Sequence, residues 1–205
     1  LLSVYSSLNA IINSTPKDIA VCCCFDNEEV GSETKQGAAS NILSTLLRKI
    51  NRAFMKNDDD FTFATENGVL LSADNAHAMH PHHPEKYDQT NRVFMNEGVV
   101  IKFSANQKYT TDGVSCALFA DVCRRAGVPV QHFANRSDMV GGSTLGNISG
   151  AHVSIPTVDI GLAQLAMHSS YETAGVRDAQ YMASALTACY ETELSVRSDG
   201  VYEIG

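Results

Sequence analysis

Two adjacent carboxylates, Glu28 and Glu29, are the first residues of this chain whose type and position suggest chemistry. They follow an uncharged apolar run, residues 19–25, which predicts a short strand buried on both faces. In open α/β sheets, ligands bind outside the carboxyl ends of the strands, where this pair would lie. Because successive side chains of extended backbone point in opposite directions, one carboxylate could bind a metal while the other handles a proton. An acidic loop in solvent is the alternative interpretation of the pair taken alone.

Two further predicted strands lead to possible metal ligands. Asp74 follows the apolar run at residues 69–73, and His168 lies beyond the strand predicted at residues 157–160. Carboxylate oxygen and imidazole nitrogen together suit zinc or another first-row divalent ion. A carboxylate beside the metal that does not bind it is the usual general base of a hydrolase. Each residue alone is ordinary, but the three strand ends together favour a metallohydrolase site.

Three other patterns leave alternatives open. A polar loop that contains prolines also contains four histidines, His77, His80, His82 and His83. These histidines form either a metal-binding tract or part of a solvated surface. The glycine-rich residues 140–146 could bind a carboxylate through backbone N–H groups, but they lack the lysine of a nucleotide-binding loop. Lys102 interrupts an apolar strand, either as an edge lysine or as a cation kept for an acidic ligand.

Strands and helices alternate along the chain, which predicts a layered α/β fold. The predicted strands occupy residues 19–25, 69–73, 98–104, 130–134 and 157–160. An opening helix ends near residues 13–16, and further helices are predicted at residues 36–55, 111–126 and 175–191. Residues 57–60 are predicted as a polar turn and residues 75–96 as a long loop. The length of 205 residues is that of one domain.

Composition excludes several classes of partner. The net charge is -8 and no stripe of Lys or Arg is present, so nucleic acid and anionic membrane are poor partners. No apolar run approaches the ~20 residues that span a bilayer. The six cysteines include three consecutive ones in a predicted strand and no C-x-x-C pair, which is typical of reduced thiols in a cytoplasmic protein.

The chain resembles the aspartyl aminopeptidases, a family of cocatalytic zinc exopeptidases. Five segments carry the resemblance, in family order, from about residue 18 to residue 191: Phe-Asp-Asn-Glu-Glu-Val-Gly-Ser at 25–32, Ser-Ala-Asp-Asn-Ala-His-Ala-Met-His-Pro at 72–81, Val-Ile-Lys at 100–102, Gly-Ser-Thr at 142–144 and Gln-Leu-Ala-Met-His-Ser at 164–169. The resemblance implies a three-layer α/β/α zinc-peptidase domain with a mixed sheet, incomplete at its N-terminal side. Residues 1–205 would be the C-terminal portion of that catalytic domain.

The same resemblance implies an enzyme that removes N-terminal Asp or Glu from peptides with metal-activated water, and that assembles into homo-oligomers. It also implies a role for each matching residue: Glu28 as general base, Glu29, Asp74 and His168 as zinc ligands, Lys102 as the cation that pairs with the acidic side chain of the substrate, and Tyr109 and His80 as further substrate-binding residues.

The resemblance is incomplete in one respect. The family binds two zinc ions and uses a further His and a bridging Asp from earlier segments, whereas no His precedes residue 77 here. We therefore expect the chain alone to bind metal poorly and to catalyse little. Two alternatives remain: a related zinc aminopeptidase with another side-chain preference, and a non-catalytic chain that serves assembly or regulation.

Overall fold

The computed structural model describes residues 1–198 and 201–205. The α-helices of this part are α1 Leu2–Asn13, α2 Ile42–Ala53, α3 Asp58–Glu66, α4 Gly113–Arg125, α5 Leu145–Val153 and α6 Val176–Glu191, with a 3-10 helix at Pro84–Lys86. The strands are β1 Leu70–Ala73, β2 Ala76–His77, β3 Val99–Phe103, β4 Val130–Ala134, β5 Thr157–Gly161, β6 Ala163–Leu165, β7 Thr173–Ala174, β8 Leu194–Ser198 and β9 Val201–Ile204. None of the helices described is long and apolar enough to cross a membrane.

A four-stranded sheet in the order β1-β5-β3-β4 forms the centre of the described structure. β1 runs parallel to β5 and β3 runs parallel to β4, but β3 and β5 are antiparallel, so the sheet is mixed as predicted. Helices α1, α4 and α6 cover one face, where Ile101 and Ile160 pack against Phe119 and Met182. This apolar cluster is the main core of the chain.

The opposite face of the sheet carries a second apolar cluster. Side chains of neighbouring positions on a strand point to opposite faces, so Val100 turns away from the main core. It packs with Phe133, Tyr109 and Ala163. A small sheet, β2-β6-β7, extends from this region, and α5 packs against β1 and β5 with α2 outside it. The predicted layered α/β fold with a mixed sheet is confirmed for the described residues.

The prediction of a buried strand at residues 19–25 is wrong. This segment has no strand assignment, Ile19 is 64% exposed, and Cys24 is also exposed. A strand exists only when a neighbour supplies backbone hydrogen bonds, and no described strand pairs with these residues. An apolar, β-prone composition was therefore not sufficient to make a strand here.

One helix prediction and one turn prediction also need correction. The helix predicted at residues 36–55 begins only at Ile42, because the Ser40 hydroxyl donates to the Gly37 carbonyl and holds a turn instead. The polar turn predicted at residues 57–60 is the start of α3. Asn57 accepts from the Asp60 N–H while the Asp60 carboxylate accepts from the Asn57 N–H, and this capping box starts a helix.

The remaining predicted helices and strands agree with the structure to within a few residues at their ends, but the long loop predicted at residues 75–96 contains β2 and the 3-10 helix. Several elements were not predicted: α5, which follows the glycine-rich loop, the short strands β2, β6 and β7, and the hairpin of β8 and β9. Each of these strands is short or lies outside the main sheet. Their sequences consequently lack the long apolar runs from which the central strands were predicted.

Candidate active site

Glu28 and Glu29 lie in a tight turn rather than at the end of a strand. Asn27 opens this turn with a φ of 59°, a left-handed conformation that asparagine adopts more readily than most other side chains. The Gly31 and Ser32 N–H groups close it by donating to the Glu28 and Asn27 carbonyls at 3.0 and 2.9 Å. The turn holds the two glutamates on one loop, but their side chains have different neighbours.

The side chain of Glu29 meets that of His168. Glu29 Oε2 lies 2.8 Å from His168 Nε2, although the two residues are far apart in sequence. His168 follows β6 and has a φ of 68°, and Ala166 before it also has a positive φ, 54°. Left-handed backbone is strained for residues with a Cβ, and such strain tends to occur at functional sites. The His168 N–H donates to Glu172 Oε1 at 2.7 Å, which helps to hold this conformation.

Glu28 lies among the other charged residues of the predicted site. Burial raises the pKa of its carboxyl group, and the negative charges of Asp74 and Glu29 raise this pKa further. The positive charges of His168 and Lys102 oppose that rise. The structure therefore places Glu28 within electrostatic reach of all four residues.

Lys102 is a buried cation on a central strand. It is 2% exposed, and β3 lies between β5 and β4, so Lys102 is not an edge lysine. Its Nζ donates to Asp74 Oδ2 and to the Asn75 carbonyl, each at 3.3 Å. The ammonium also lies 5.2 Å from the centre of the Tyr109 ring, within cation–π range. These contacts compensate for the lost hydration of a buried charge.

Tyr109 covers this lysine, whereas the ring contacts of His80 are within its own loop. Tyr109 is 7% exposed and its phenol oxygen accepts from Asn135 Nδ2 at 3.3 Å. Burial raises the pKa of Tyr109, and the hydrogen bond from Asn135 opposes that rise. The ring contacts of His80 are to His82 and His83, at centroid distances of 5.7 and 5.3 Å within its own loop.

The donor set suits zinc in part. Two ligand atoms that bind one zinc ion at ~2 Å lie about 3 Å apart, close to the spacing of Glu29 Oε2 and His168 Nε2. Asp74 is engaged with Lys102 instead. Within residues 1–198 and 201–205, no group of three or more His, Cys, Asp or Glu side chains converges in a way that could hold a metal ion. The described residues thus supply a ligand pair rather than a closed site.

Asn75 and His77, which follow β1, also belong to this site; from the sequence, His77 is marked only as one of four loop histidines and Asn75 has no predicted role. Asn75 donates through Nδ2 to Gln164 Oε1 at 2.5 Å and offers its carbonyl to Lys102. His77 lies near the same charges: desolvation lowers its pKa, and the positive charges of His168 and Lys102 lower it further. Asn75 directly follows Asp74 and His77 lies three residues after it, so their position just beyond a predicted strand was the available signal.

Comparison with known proteins bears on the family and the fold of the chain. The family model described as Aminopeptidase I zinc metalloprotease (M18) matches residues 1–190. A probable M18 family aminopeptidase 2 from Clostridium acetobutylicum is 48% identical over 188 residues, which are 91% of this chain and 43% of that relative. One from Mycobacterium leprae is 41% identical over 194 residues, which are 94% of this chain and 46% of the relative.

Solved structures show the same fold. A chain in the cryo-EM structure of the Ape4 and Nbr1 complex superposes with a TM-score of 0.87 at 34% identity, covering 92% of this chain and 37% of its own length. An M18 aminopeptidase from Thermotoga maritima gives 0.82 at 26% identity, with 93% and 44% covered. The S. cerevisiae mApe1 dodecamer gives 0.79 at 29% identity, with 91% and 43% covered.

The match extends over almost all of this chain but over less than half the length of the curated relatives reported above. The family model, the sequence relatives and the superposed structures agree with one another. The chain therefore belongs to the M18 family of aminopeptidase I zinc metalloproteases.

Proposed function

We propose that residues 1–205 are the C-terminal portion of the catalytic domain of a zinc aminopeptidase that removes N-terminal Asp or Glu from peptides. The observation that carries this proposal is the arrangement around Lys102. A buried cation lies beside Asp74 and within electrostatic reach of Glu28, and Glu28 neighbours the pair formed by Glu29 and His168. Groups suited to metal binding, proton transfer and recognition of an anion thus occur in one place.

Each group has a distinct part in this proposal. Glu29, His168 and Asp74 would hold zinc. When bound, zinc supplies a Lewis acid that polarises the scissile carbonyl and activates water. Glu28, which is assigned no bond to the metal, would accept a proton from the attacking water as general base and return it to the leaving amine.

Lys102 provides the preference for acidic residues. A buried ammonium forms a charge-assisted hydrogen bond with the side-chain carboxylate of Asp or Glu, and it gains nothing from an apolar side chain such as Leu. The ring of Tyr109 lies 5.2 Å from the Lys102 Nζ, and it would form one wall of the pocket that receives this carboxylate. His80 is proposed as a third substrate-binding residue.

We further propose that this chain alone is nearly inactive. The family site takes two zinc ions and includes an additional His and a bridging Asp, and no three His, Cys, Asp or Glu side chains of the described residues converge closely enough to hold a metal ion. Without the bridging carboxylate, two cations would lie close together with less compensating negative charge. The missing ligands would have to come from a segment at the N-terminal side.

Two further features belong to the same proposal. One of the superposed structures is a dodecamer, and on that likeness we propose that the complete protein is a homo-oligomer. The six cysteines are free thiols, which supports a cytoplasmic location, where thiols stay reduced.

Selectivity between two substrates tests the proposal. In a version extended at the N-terminal side by the segment with the remaining ligands, Lys102→Ala should lower kcat/KM for Asp-anilide about 10–100-fold more than for Leu-anilide. This range corresponds to the ~1.5–3 kcal/mol of a hydrogen bond to a charged group. Lys56→Ala, which removes an exposed lysine, is the matched control and should leave the ratio unchanged.

Two results would contradict the proposal in different ways. Equal losses on the Asp and Leu substrates would favour a related zinc aminopeptidase with another side-chain preference. An extended protein that folds and still cleaves neither substrate would favour a non-catalytic chain kept for assembly or regulation.

A further inference from the structure

Asp159 is a buried carboxylate in the middle of the sheet. It lies on β5, between β1 and β3, and none of its surface is exposed. In the part of the chain that the structure describes, no Lys or Arg forms an ion pair with it. A buried carboxylate without a cation requires hydrogen-bond donors from other groups, so the position of those donors is informative.

The donors come from two segments that flank the candidate active site. Thr110 donates to Oδ2 twice, through its backbone N–H at 2.6 Å and through its hydroxyl at 2.8 Å. Thr144 donates its hydroxyl to Oδ1 at 2.5 Å. The Asp159 N–H in turn donates to Thr111 Oγ1 at 2.9 Å. Asp159 therefore connects β5 to Thr110 and Thr144 through its carboxylate, and to Thr111 through its backbone N–H.

Helix α5 begins against the same carboxylate. Thr144 is its N-cap residue, yet the Thr144 side chain makes no capping bond because its hydroxyl is turned to Asp159. A Cβ at Gly146 would lie 2.7 Å from both carboxylate oxygens, so this approach requires glycine. The positive end of the α5 dipole also favours a negative charge at this point.

Both connected segments reach the surroundings of Lys102. Thr110 directly follows Tyr109, whose ring lies over the lysine. The loop at residues 141–144 approaches Tyr109 through Asn135: a Cβ at Gly141 would lie 2.3 Å from Asn135 Nδ2, and that same nitrogen donates to the Tyr109 phenol. Tyr109 is thus held from its backbone side by Asp159 and from its phenol side by a residue that the loop contacts.

We propose that Asp159 is a positioning residue of the active site, which holds the Tyr109 ring beside Lys102 through Thr110 and fixes the loop at residues 141–144 through Thr144. It does not itself touch substrate. Its importance for peptide recognition rests on the proposed function, in which Lys102 and Tyr109 bind the acidic residue. The geometry that it fixes is independent of that function and can be measured without catalysis.

NMR on the 205-residue chain tests the proposal through two signals. The ring current of Tyr109 should shift the side-chain methylene protons of Lys102. The centroids of the Tyr109 and Phe133 rings are 6.3 Å apart, so an NOE is expected between these rings. In Asp159→Ala we expect the Lys102 shifts to move most of the way to those of a Tyr109→Ala reference, and the NOE to be lost. Asp159→Asn keeps the shape of the side chain and one oxygen acceptor, so this variant should retain most of both signals.

Asp178 provides a matched control. It is also fully buried, and its carboxylate accepts from the Asn96 and Gly98 N–H groups at 2.6 and 3.0 Å, away from Tyr109. Asp178→Ala should lower the melting temperature as Asp159→Ala does, while both NMR signals stay at their original values. If Asp159→Ala does not fold, Thr110→Val removes one of the two Thr110 bonds and should move the same signals in the same direction.

Retention of the Lys102 shifts and of the NOE in folded Asp159→Ala would overturn the proposal. Equal loss of both signals in Asp178→Ala would overturn it too, because the effect would then be general loosening of the fold. Neither readout depends on peptide hydrolysis, so failure of the proposed function leaves this test unaffected.

Discussion

Removal of Asp74 should destabilise the chain far more than removal of its partner Lys102. Lys102 is 2% exposed, whereas the side chain of Asp74 is 34% exposed. Asp74→Ala leaves a buried ammonium without a counter-charge, a change that costs about 3–5 kcal/mol of the free energy of unfolding. The Asn75 carbonyl and the Tyr109 ring still contact the ammonium, so we expect the lower end of this range, about 3 kcal/mol.

Lys102→Met has a smaller expected effect because it removes the buried charge together with its desolvation penalty. Asp74 then lacks its lysine partner, but its carboxylate can bind water because the side chain is 34% exposed. We expect a loss of about 1 kcal/mol or less, and a similar loss for the double variant. For a chain of this size, the loss of 3 kcal/mol in Asp74→Ala corresponds to a fall in melting temperature of about 6–12 °C.

Urea unfolding in the presence of EDTA measures these differences without any contribution from metal binding. The midpoint should fall while the m-value stays constant, as for a change in stability alone. Asp138→Ala is the matched control, because it removes a carboxylate from an exposed pair with Arg136 and should change the midpoint little. The reasoning is refuted if Asp74→Ala is no more destabilising than Lys102→Met, or if the double variant loses the sum of both single losses.

Two further predictions concern stability and titration. Gly146→Ala places a Cβ 2.7 Å from both carboxylate oxygens of Asp159 and should lower the melting temperature by several degrees. Gly113→Ala, whose Cβ meets no atom within 4 Å, is the control and should leave the melting temperature unchanged or slightly raised. Differential scanning calorimetry measures both changes, and equal melting temperatures of the two variants would contradict the prediction. Hydrogen bonds from Thr90 and Asn91 lower the pKa of Asp88 to about 2, so their stabilising effect is present above pH ~4 and is lost as pH falls through about 2. An NMR titration of Asp88 that returned an ordinary carboxyl pKa would contradict this assignment.

The central strands could be predicted from sequence because each is a short apolar run between polar turns. The position of Leu70–Ala73, for example, follows from the apolar run at residues 69–73. The run at residues 19–25 has the same appearance, but pairing depends on a neighbouring strand that local sequence does not reveal. Residues 57–60 have a polar composition that predicts a turn, but Asn57 and Asp60 have the spacing of a capping box, which indicates a helix start.

The candidate site was predictable in its residue types more than in its contacts. A charge within an apolar strand marked Lys102 as unusual, but its bond to Asp74 depends on β1, β5 and β3 being neighbours in space. Asp159 gave the same signal, a carboxylate inside the run at residues 157–160, and received no role. Its partners Thr110 and Thr144 are 49 and 15 residues away, and no periodicity connects them.

Hydrolysis of Asp-anilide and Leu-anilide in the presence of zinc tests the central claim most directly. The 205-residue chain is compared with the version extended at its N-terminal side. We predict cleavage of the Asp substrate by the extended protein, with little or none by the shorter chain. If the shorter chain cleaves Asp-anilide as fast as the extended protein does, its ligand set is not incomplete and the claim is contradicted. Inactivity of both proteins would contradict the proposed aminopeptidase function.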